Sequence, residues 1–311
     1  MHTLASMRRA TDEQVRFDEL PTEAWNAASA DIDLRDTTDL VALMTTEDAT
    51  VPAAVERAGA AIADAIDAVA DRLVRGGRLI YVGAGTSGRL ALVDAVECES
   101  TFAVPPGLVI ALVAGGAESA ATAQEHAEDD SAAGASEISA VEVGPLDAVV
   151  GLSASGRTPY VSGALVAARS AGALTVALVA VPESELGMLV DHEIAVVVGP
   201  EVIAGSTRLK AGTAQKLVLN MISTIAMVRL GKTYGNLMVD VVATNDKLRA
   251  RVHRIVAQAS GAEPEQVDEA LAAADGDAKV AIVSLLAGID ADEARCRLDD
   301  VNGVVRKALA Q

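Results

Sequence analysis

The chain has 311 residues, and its 25 Lys and Arg against 44 Asp and Glu give a formal net charge of −19. This charge argues against binding to nucleic acid or to an anionic membrane surface, because both partners are themselves negative. No apolar run approaches the ~20 residues that cross a bilayer. The cysteines, Cys98 and Cys296, build no disulfide framework and suit a reducing compartment, so we expect a cytoplasmic protein.

The N-terminal part of the chain predicts helices ahead of any strand. Residues 1–36 are polar and irregular, and a helical pattern begins at Thr37. Apolar residues then recur at spacings of seven, four, three and four, which is typical of one face of a helix. They are Val55, Ile62, Ile66, Val69 and Leu73. Gly76 and Gly77 are expected to end this helix.

The middle of the chain alternates short, β-branched apolar runs with Ala-rich stretches such as Ser87–Val96 and Pro159–Ala171. Uninterrupted apolar runs are typical of strands that are buried on both faces of a parallel sheet. The runs are Arg78–Gly83, Leu108–Ala114, Asp147–Ser153, Ala173–Val181 and Glu193–Gly199. This order predicts an α/β fold with a doubly wound, five-stranded parallel sheet flanked by helices. In such sheets ligands bind at the carboxyl ends of the strands.

The chain after Pro200 is predicted to be helical. Thr207–Leu230 predicts one long helix, and Val241–Ala259 predicts a basic amphipathic one. A break follows, and then a small C-terminal three-helix module. Its helices are predicted over Pro264–Ala274, Ala278–Leu286 and Ala291–Leu298. The predicted parts are an N-terminal segment (1–52), a sheet-containing domain (53–259) and the helical module (260–311).

Two of the predicted strands end in turns that are rich in hydroxyl groups and glycine. Gly83–Arg89 (GAGTSGR) follows the first strand, and Ser153–Thr158 (SASGRT) follows the third. Such residues often only cap helices, but two turns at the strand ends of one sheet favour a compact phosphorylated ligand. Backbone N–H groups at a helix N-terminus, together with hydroxyls, suit a phosphate dianion. The residues expected to bind it are Gly85, Thr86, Ser87, Ser153, Ser155 and Thr158.

The GxGxxG spacing inside the first turn does not by itself predict a dinucleotide site. That fingerprint needs an acidic residue at the end of the second strand, where this chain has Ala114-Gly115-Gly116 and reaches an acid only at Glu118. A Walker loop is excluded because no Gly-Lys-Ser/Thr follows. The histidines have no metal-ligand spacing, so we expect no metal site. They are His2, His126, His192 and His253.

Longer motifs identify a family. They are GAGTSGR (83–89), DAVEC (94–98), AEDD (127–130), SASGRTPY (153–160), GSTRLKAGTAQKLVLNM (205–221) and YGNLMVD (234–240). From about Leu20 to Leu309 the chain resembles the N-acetylmuramic acid 6-phosphate etherases of the sugar isomerase domain superfamily. The resemblance implies a carbon–oxygen lyase that takes part in the recycling of cell-wall sugars.

Such an enzyme cleaves the D-lactyl ether of N-acetylmuramate 6-phosphate, giving N-acetylglucosamine 6-phosphate and D-lactate. It also implies a homodimer without metal or redox cofactor, and a phosphosugar-binding role for the sheet-containing domain.

The resemblance also implies the catalytic residues. Carried over onto matching positions, Glu97 in DAVEC and Glu128 in AEDD are the acid and the base, and the residues leave open which is which. Glu97 lies ten residues after Ser87, about 15 Å along an unbroken helix. Either that helix ends early or a partner subunit completes the site. We favour a site near the interface of a homodimer.

Further ligand-binding residues are expected after the last strand. Ser206, Thr207 and Lys210 stand at the start of the predicted long helix. We expect them to face the sugar or the phosphate, with Lys210 as a flexible cation.

The chain departs from the family pattern at two places. It has Trp25-Asn26-Ala27 where the family has Arg-Asn-Pro, and Glu99-Ser100 where the family has two prolines. These changes bear on substrate range. Two alternative functions share the predicted sheet and turns: aldose–ketose isomerisation of a sugar phosphate, and non-catalytic sensing of a sugar phosphate by a regulator. Release of lactate separates the etherase from both.

Overall fold

The structure, a computed structural model, describes residues 21–116, 125–241 and 245–311. The chain divides into two units. Unit one comprises the residues up to 96 together with 107–222, and unit two comprises 97–106 together with 223–311. The predicted domain boundaries after residues 52 and 259 stay predictions. Within the described ranges, every helix is too short or too polar to span a membrane.

Unit one is organised by a five-stranded parallel sheet, as predicted. Its strands are β1 (Leu79–Gly83), β2 (Val109–Val113), β3 (Ala148–Ser153), β4 (Leu174–Val179) and β5 (His192–Ala195). Their spatial order is β2-β1-β3-β4-β5. The chain leaves β1 towards one side to form β2 and returns on the other side to form β3. The topological switch point of the sheet therefore lies between β1 and β3, where ligands bind in doubly wound folds.

Helices of unit one flank this sheet, and α4 and α7 continue into unit two. They are α1 (Thr37–Asp48), α2 (Val51–Arg57), α3 (Gly59–Val74), α4 (Gly85–Phe102), α5 (Ser131–Ala140), α6 (Pro159–Ser170) and α7 (Lys210–Arg229). The apolar face predicted from Val55 to Leu73 is buried, although the helix is broken at Ala58. The helix after the first turn is longer than the predicted Ser87–Val96.

Unit two is mainly helical. Its own helices are α8 (Asp246–Ser260), α9 (Pro264–Ala273), α10 (Ala278–Ala287), α11 (Ala291–Asp300) and α12 (Val305–Ala308). The three predicted helices of the C-terminal module are confirmed, and the short α12 follows them. Asp277 and Asp290 accept hydrogen bonds from backbone N–H groups of the first turns of α10 and α11, which fixes where these helices begin.

A two-stranded antiparallel hairpin in unit two was not predicted from the sequence. It pairs β6 (Thr233–Tyr234) with β7 (Leu237–Met238) around Gly235-Asn236. Gly235 has φ +59°, which a glycine adopts without steric cost. The predicted basic helix begins at Asp246, later than Val241, and residues 242–244 lie outside the described residues.

Helices α5 and α6 of unit one approach each other closely through two glycines. A Cβ on Gly163 would lie 1.9 Å from the backbone oxygen of Ser131, and one on Gly134 would lie 2.0 Å from that of Tyr160. The Tyr160 hydroxyl donates a 2.6 Å hydrogen bond to Glu137 across this contact. Because α6 begins directly after the second hydroxyl-rich turn, this contact helps to fix where that turn lies.

We expect Gly163→Ala to lower the free energy of unfolding by roughly 3 kcal/mol, because the backbone atoms that meet the new methyl cannot move aside cheaply. Gly59→Ala is the matched control, since a Cβ there has no heavy atom within 4 Å and alanine is the better helix former. Denaturant unfolding of both variants measures the difference. Equal stability of the two variants would contradict the close approach of α5 and α6.

Candidate functional site

A cleft of about 720 Å³ lies in unit one at the carboxyl ends of β1 and β3. Both hydroxyl-rich turns line it. The lining residues named by the sequence analysis are Gly85, Thr86, Ser87, Glu128, Ser153, Ser155, Thr158 and Thr207. The structure therefore brings together eight of the eleven residues that the sequence singled out, and it does so at the switch point of the sheet.

The first turn leads from β1 into α4 and carries Ser87. A Cβ on Gly88 would lie 2.6 Å from the backbone oxygen of Gly83, so only glycine lets the helix begin this close to the strand. The half-buried Ser87 hydroxyl donates a 2.8 Å hydrogen bond to the side-chain oxygen of Gln215. The backbone N–H groups at the start of α4 and this hydroxyl form one side of the cleft, and N–H groups at a helix N-terminus suit an anion.

The second turn is organised by the buried hydroxyl of Ser153. It lies 3.2 Å from the Ser155 hydroxyl and 2.7 Å from the Thr158 hydroxyl, and it accepts a hydrogen bond from the backbone N–H of Gly156. Gly156 has φ +70°, and a Cβ there would lie 2.4 Å from that of Ser184, so the turn needs glycine at this position. Ser153 thus holds Ser155 and Thr158 at the cleft.

The charged residues in the described lining of the cleft are mostly acidic. Its charged side chains are four carboxylates and one guanidinium: Glu23, Glu128, Asp129, Glu185 and Arg157. A nitrogen of the Arg157 guanidinium lies 3.6 Å from an Oε1 oxygen of Glu185. A phosphate group in this cleft therefore depends on hydroxyls and backbone N–H groups as well as on Arg157.

The two predicted catalytic carboxylates lie in different settings. Glu128 belongs to the 3₁₀ turn Glu125–Asp129 and lines the cleft. Glu97 is exposed on α4, where its carboxylate accepts a 3.5 Å hydrogen bond from the Ser100 hydroxyl, and it does not line the cleft. The helix runs unbroken from Gly85 to Phe102, so of the two alternatives, the one in which it ends before Glu97 is wrong.

Lys210 and Ser206 also lie outside the lining of the cleft. The Lys210 side chain is 4% exposed, and its ammonium group lies 2.7 Å from a Glu47 carboxylate oxygen. Asn26 donates to the same oxygen at 2.9 Å. The hydrogen bond from Lys210 lowers the pKa of the Glu47 carboxyl below its ordinary value. Ligand contact by Lys210 and Ser206 therefore stays a prediction.

Glu201 lies in the segment between β5 and α7, is fully buried, and binds the start of α7. Its carboxylate accepts hydrogen bonds from the backbone N–H groups of Lys210 and Ala211, at 2.9 and 3.0 Å, and so caps α7. Burial raises the pKa of the Glu201 carboxyl. This cap fixes the start of α7 just after Thr207, which lines the cleft.

Glu23 is a lining residue that the sequence analysis did not single out. The backbone N–H of Gly205 donates to the backbone oxygen of Thr22, which brings the N-terminal segment to the cleft. A Cβ on Gly205 would lie 2.7 Å from a Glu23 carboxylate oxygen, so the glycine makes room for this side chain. Glu23 stands in a polar, irregular stretch, where no local pattern could have indicated it.

We expect Lys210→Met to lower the free energy of unfolding by roughly 2 kcal/mol at neutral pH, because the Glu47 carboxylate, only 16% exposed, then stays largely shielded from water without its cation. The folded-state pKa of Glu47 lies below its ordinary value of 4.5. The pair therefore contributes its full stability above that pH and loses it as the pH falls through the lowered pKa.

Unfolding of the wild type and Lys210→Met at pH 7 and pH 4 measures this difference, which should be smaller at pH 4. The control is the double variant Glu47→Gln/Lys210→Met, which buries no unpaired charge and should recover part of the loss. A destabilisation that is the same at both pH values would contradict the ion pair as its cause.

Comparison with known proteins adds three findings. Residues 61–169 match the family model described as the glucokinase regulatory protein N-terminal SIS domain. The N-acetylmuramic acid 6-phosphate etherase of Rubrobacter xylanophilus is 60% identical over 95% of this chain and 98% of its own, and that of Streptomyces avermitilis is 53% identical over 99% of both. A solved phosphoheptose isomerase from Neisseria gonorrhoeae is 18% identical, with a TM-score of 0.49, over 61% of this chain and 98% of its own.

Proposed function

The chain belongs to the N-acetylmuramic acid 6-phosphate etherase family, and from this premise we propose that it cleaves the D-lactyl ether of N-acetylmuramate 6-phosphate. The products are N-acetylglucosamine 6-phosphate and D-lactate, so the protein is a carbon–oxygen lyase that serves the recycling of cell-wall sugars. The observation that carries this function is the meeting of both hydroxyl-rich turns and Glu128 at one cleft.

The substrate's own chemistry explains why carboxylates are needed. An ether at C3 of an aldose is hard to hydrolyse directly. Once the ring opens, the C2 proton becomes acidic because it lies next to the aldehyde. A base removes this proton while an acid protonates the departing ether oxygen, and water then adds to the double bond at C3. Two carboxylates supply both proton transfers, each contributing about 10²–10⁴-fold.

Glu128 fits one of these roles from inside the cleft, and Glu97 is proposed for the other. Glu97 does not line the cleft of its own subunit, and the helix that carries it is continuous from Gly85 to Phe102. We therefore propose that the protein is a homodimer in which Glu97 of one subunit completes the cleft of the other. Ser87, Ser155 and Thr158 would bind the phosphate.

Exposed apolar side chains support the proposed dimer. On α4, Val93 and Val96 are each 61% exposed, and they lie four residues and one residue before Glu97. On α7, Met221, Ile225 and Val228 recur at helical spacing and are between 36% and 46% exposed. Side chains of this kind favour burial against another protein surface. The described cysteines, Cys98 and Cys296, are free thiols, which fits the proposed cytoplasmic location.

The direct test is incubation of the purified protein with N-acetylmuramate 6-phosphate. We expect D-lactate and N-acetylglucosamine 6-phosphate in equal amounts, and a fall in kcat of at least about 100-fold in Glu128→Gln, because the amide cannot transfer a proton. Glu56→Gln is the control, since Glu56 is an exposed carboxylate of α2 away from the cleft lining. Formation of an isomerised sugar phosphate without lactate would indicate an aldose–ketose isomerase instead. Binding of the sugar phosphate without turnover would indicate a non-catalytic regulator.

A shared site predicts complementation between inactive subunits. Glu97→Gln and Glu128→Gln are each expected to be inactive alone. When the two are unfolded together and refolded, half of the dimers are mixed, and each mixed dimer holds one site with both glutamates. Activity should then return to about a quarter of the wild-type value, as two-fold symmetry requires. If both glutamates act within one subunit, mixing restores nothing, and the proposed sharing is wrong.

A further inference from the structure

Gln215 has a buried amide group that is only half satisfied. The residue lies on α7 and is 3% exposed. Its side-chain oxygen accepts the 2.8 Å hydrogen bond from Ser87. Its side-chain nitrogen is buried and has no hydrogen-bond partner in the described part of the chain. Buried donors without a partner are uncommon in folded proteins and call for an explanation.

The hydrogen bond between Ser87 and Gln215 has a direct consequence for anion binding. A hydroxyl group has one proton to donate. When Ser87 donates it to Gln215, the hydroxyl presents only lone pairs to the cleft, and these repel the oxygens of a phosphate. Because the charged lining is four carboxylates and Arg157, the cleft depends on such neutral donors for an anionic ligand.

A rotation of the Gln215 amide by 180° changes both the partner of the side-chain nitrogen and the direction in which the Ser87 hydroxyl donates. The side-chain nitrogen then takes the place of the oxygen and donates to the Ser87 hydroxyl. The nitrogen gains a partner while the side-chain oxygen gives up its own, and unpaired carbonyl oxygens are less rare in folded proteins than unpaired N–H groups. The Ser87 proton becomes free to point into the cleft. The Ser87 hydroxyl thereby becomes a donor to the ligand while it remains held by the same residue.

We propose that Gln215 is a positioning residue that presents the Ser87 hydroxyl as a hydrogen-bond donor to the phosphate group of the substrate. This inference rests on the proposed function, since it takes a phosphate monoester as the ligand. Gln215 accepts from Ser87 in the free protein and donates to it in the complex. Gln215 itself does not contact the substrate.

Two substitutions separate the proposed role from a general effect. Gln215→Glu keeps the size of the side chain but, when ionised, can only accept, so it holds the Ser87 proton. Gln215→Met removes both polar groups and leaves the hydroxyl free to turn. Each substitution is made in two backgrounds, one with the native Ser87 and one with Ser87→Ala. KM for N-acetylmuramate 6-phosphate is measured at neutral pH, and the affinity for N-acetylglucosamine 6-phosphate is measured by calorimetry.

We expect KM of Gln215→Glu to exceed that of Gln215→Met at least about tenfold, since a charge-assisted hydrogen bond to the phosphate is lost. In the Ser87→Ala background this difference should shrink to below about twofold. A difference that persists without the hydroxyl would show plain repulsion between carboxylate and phosphate. Equal KM values in the Ser87 background would also overturn the proposal.

A structural role is distinguished by a control on the same helix. Asn220 donates a 2.8 Å hydrogen bond to Asp94 and does not line the cleft. Asn220→Leu should lower Tm but should not raise KM as Gln215→Glu does. If Gln215→Glu does not fold, the cycle of Gln215→Met with Ser87→Ala decides. Gln215→Met leaves the Ser87 hydroxyl unheld and should raise KM when Ser87 is present but not in the Ser87→Ala background, so equal effects in the two backgrounds would overturn the proposal. If the wild type releases no lactate, the proposed function is wrong. If the wild type is active but the effects of Gln215 and Ser87 on KM are independent, only this inference is wrong.

Discussion

The candidate site depends on one constraint, namely that neighbouring parallel strands end at the same edge of a sheet. Gly83 of β1 pairs with Leu152 of β3, and each of the hydroxyl-rich turns follows at once. Because β2 lies on the outer side of β1, the chain leaves these two strand ends in opposite directions. A crevice opens between them, and the turns face each other across it. No other pair of strand ends in this sheet carries two such turns within the described residues.

The charge of the cleft follows from the chemistry proposed for it. Proton transfer at C2 and C3 needs carboxylates, and a carboxylate next to a phosphate disfavours binding. In the proposed site the two tasks are separate: hydroxyls and the backbone N–H groups at the start of α4 bind the phosphate, and such groups favour an anion without carrying a full positive charge. Lys210 is paired with Glu47 and does not line the cleft in the structure, and its contact with the ligand stays a prediction.

Local sequence patterns predict the sheet and most helices because they reflect burial and capping, which neighbouring residues determine. The apolar spacing from Val55 to Leu73 and the hydroxyl-rich turns are of this kind. Contacts between distant segments leave no such pattern. Glu23 reaches the cleft because Gly205 leaves space for it. Lys210 forms an ion pair with Glu47, which is 163 residues away in the sequence. The position of Glu97 outside the cleft lining follows from an unbroken α4, whose length the local pattern underestimated.

The central claim is that the two turns together bind a phosphate monoester. Isothermal titration of the protein with N-acetylglucosamine 6-phosphate and with N-acetylglucosamine, under the same conditions, tests it most directly. The account predicts that the phosphorylated sugar binds at least about 100-fold more tightly, as several charge-assisted hydrogen bonds require. Equal affinity for the two sugars would contradict it.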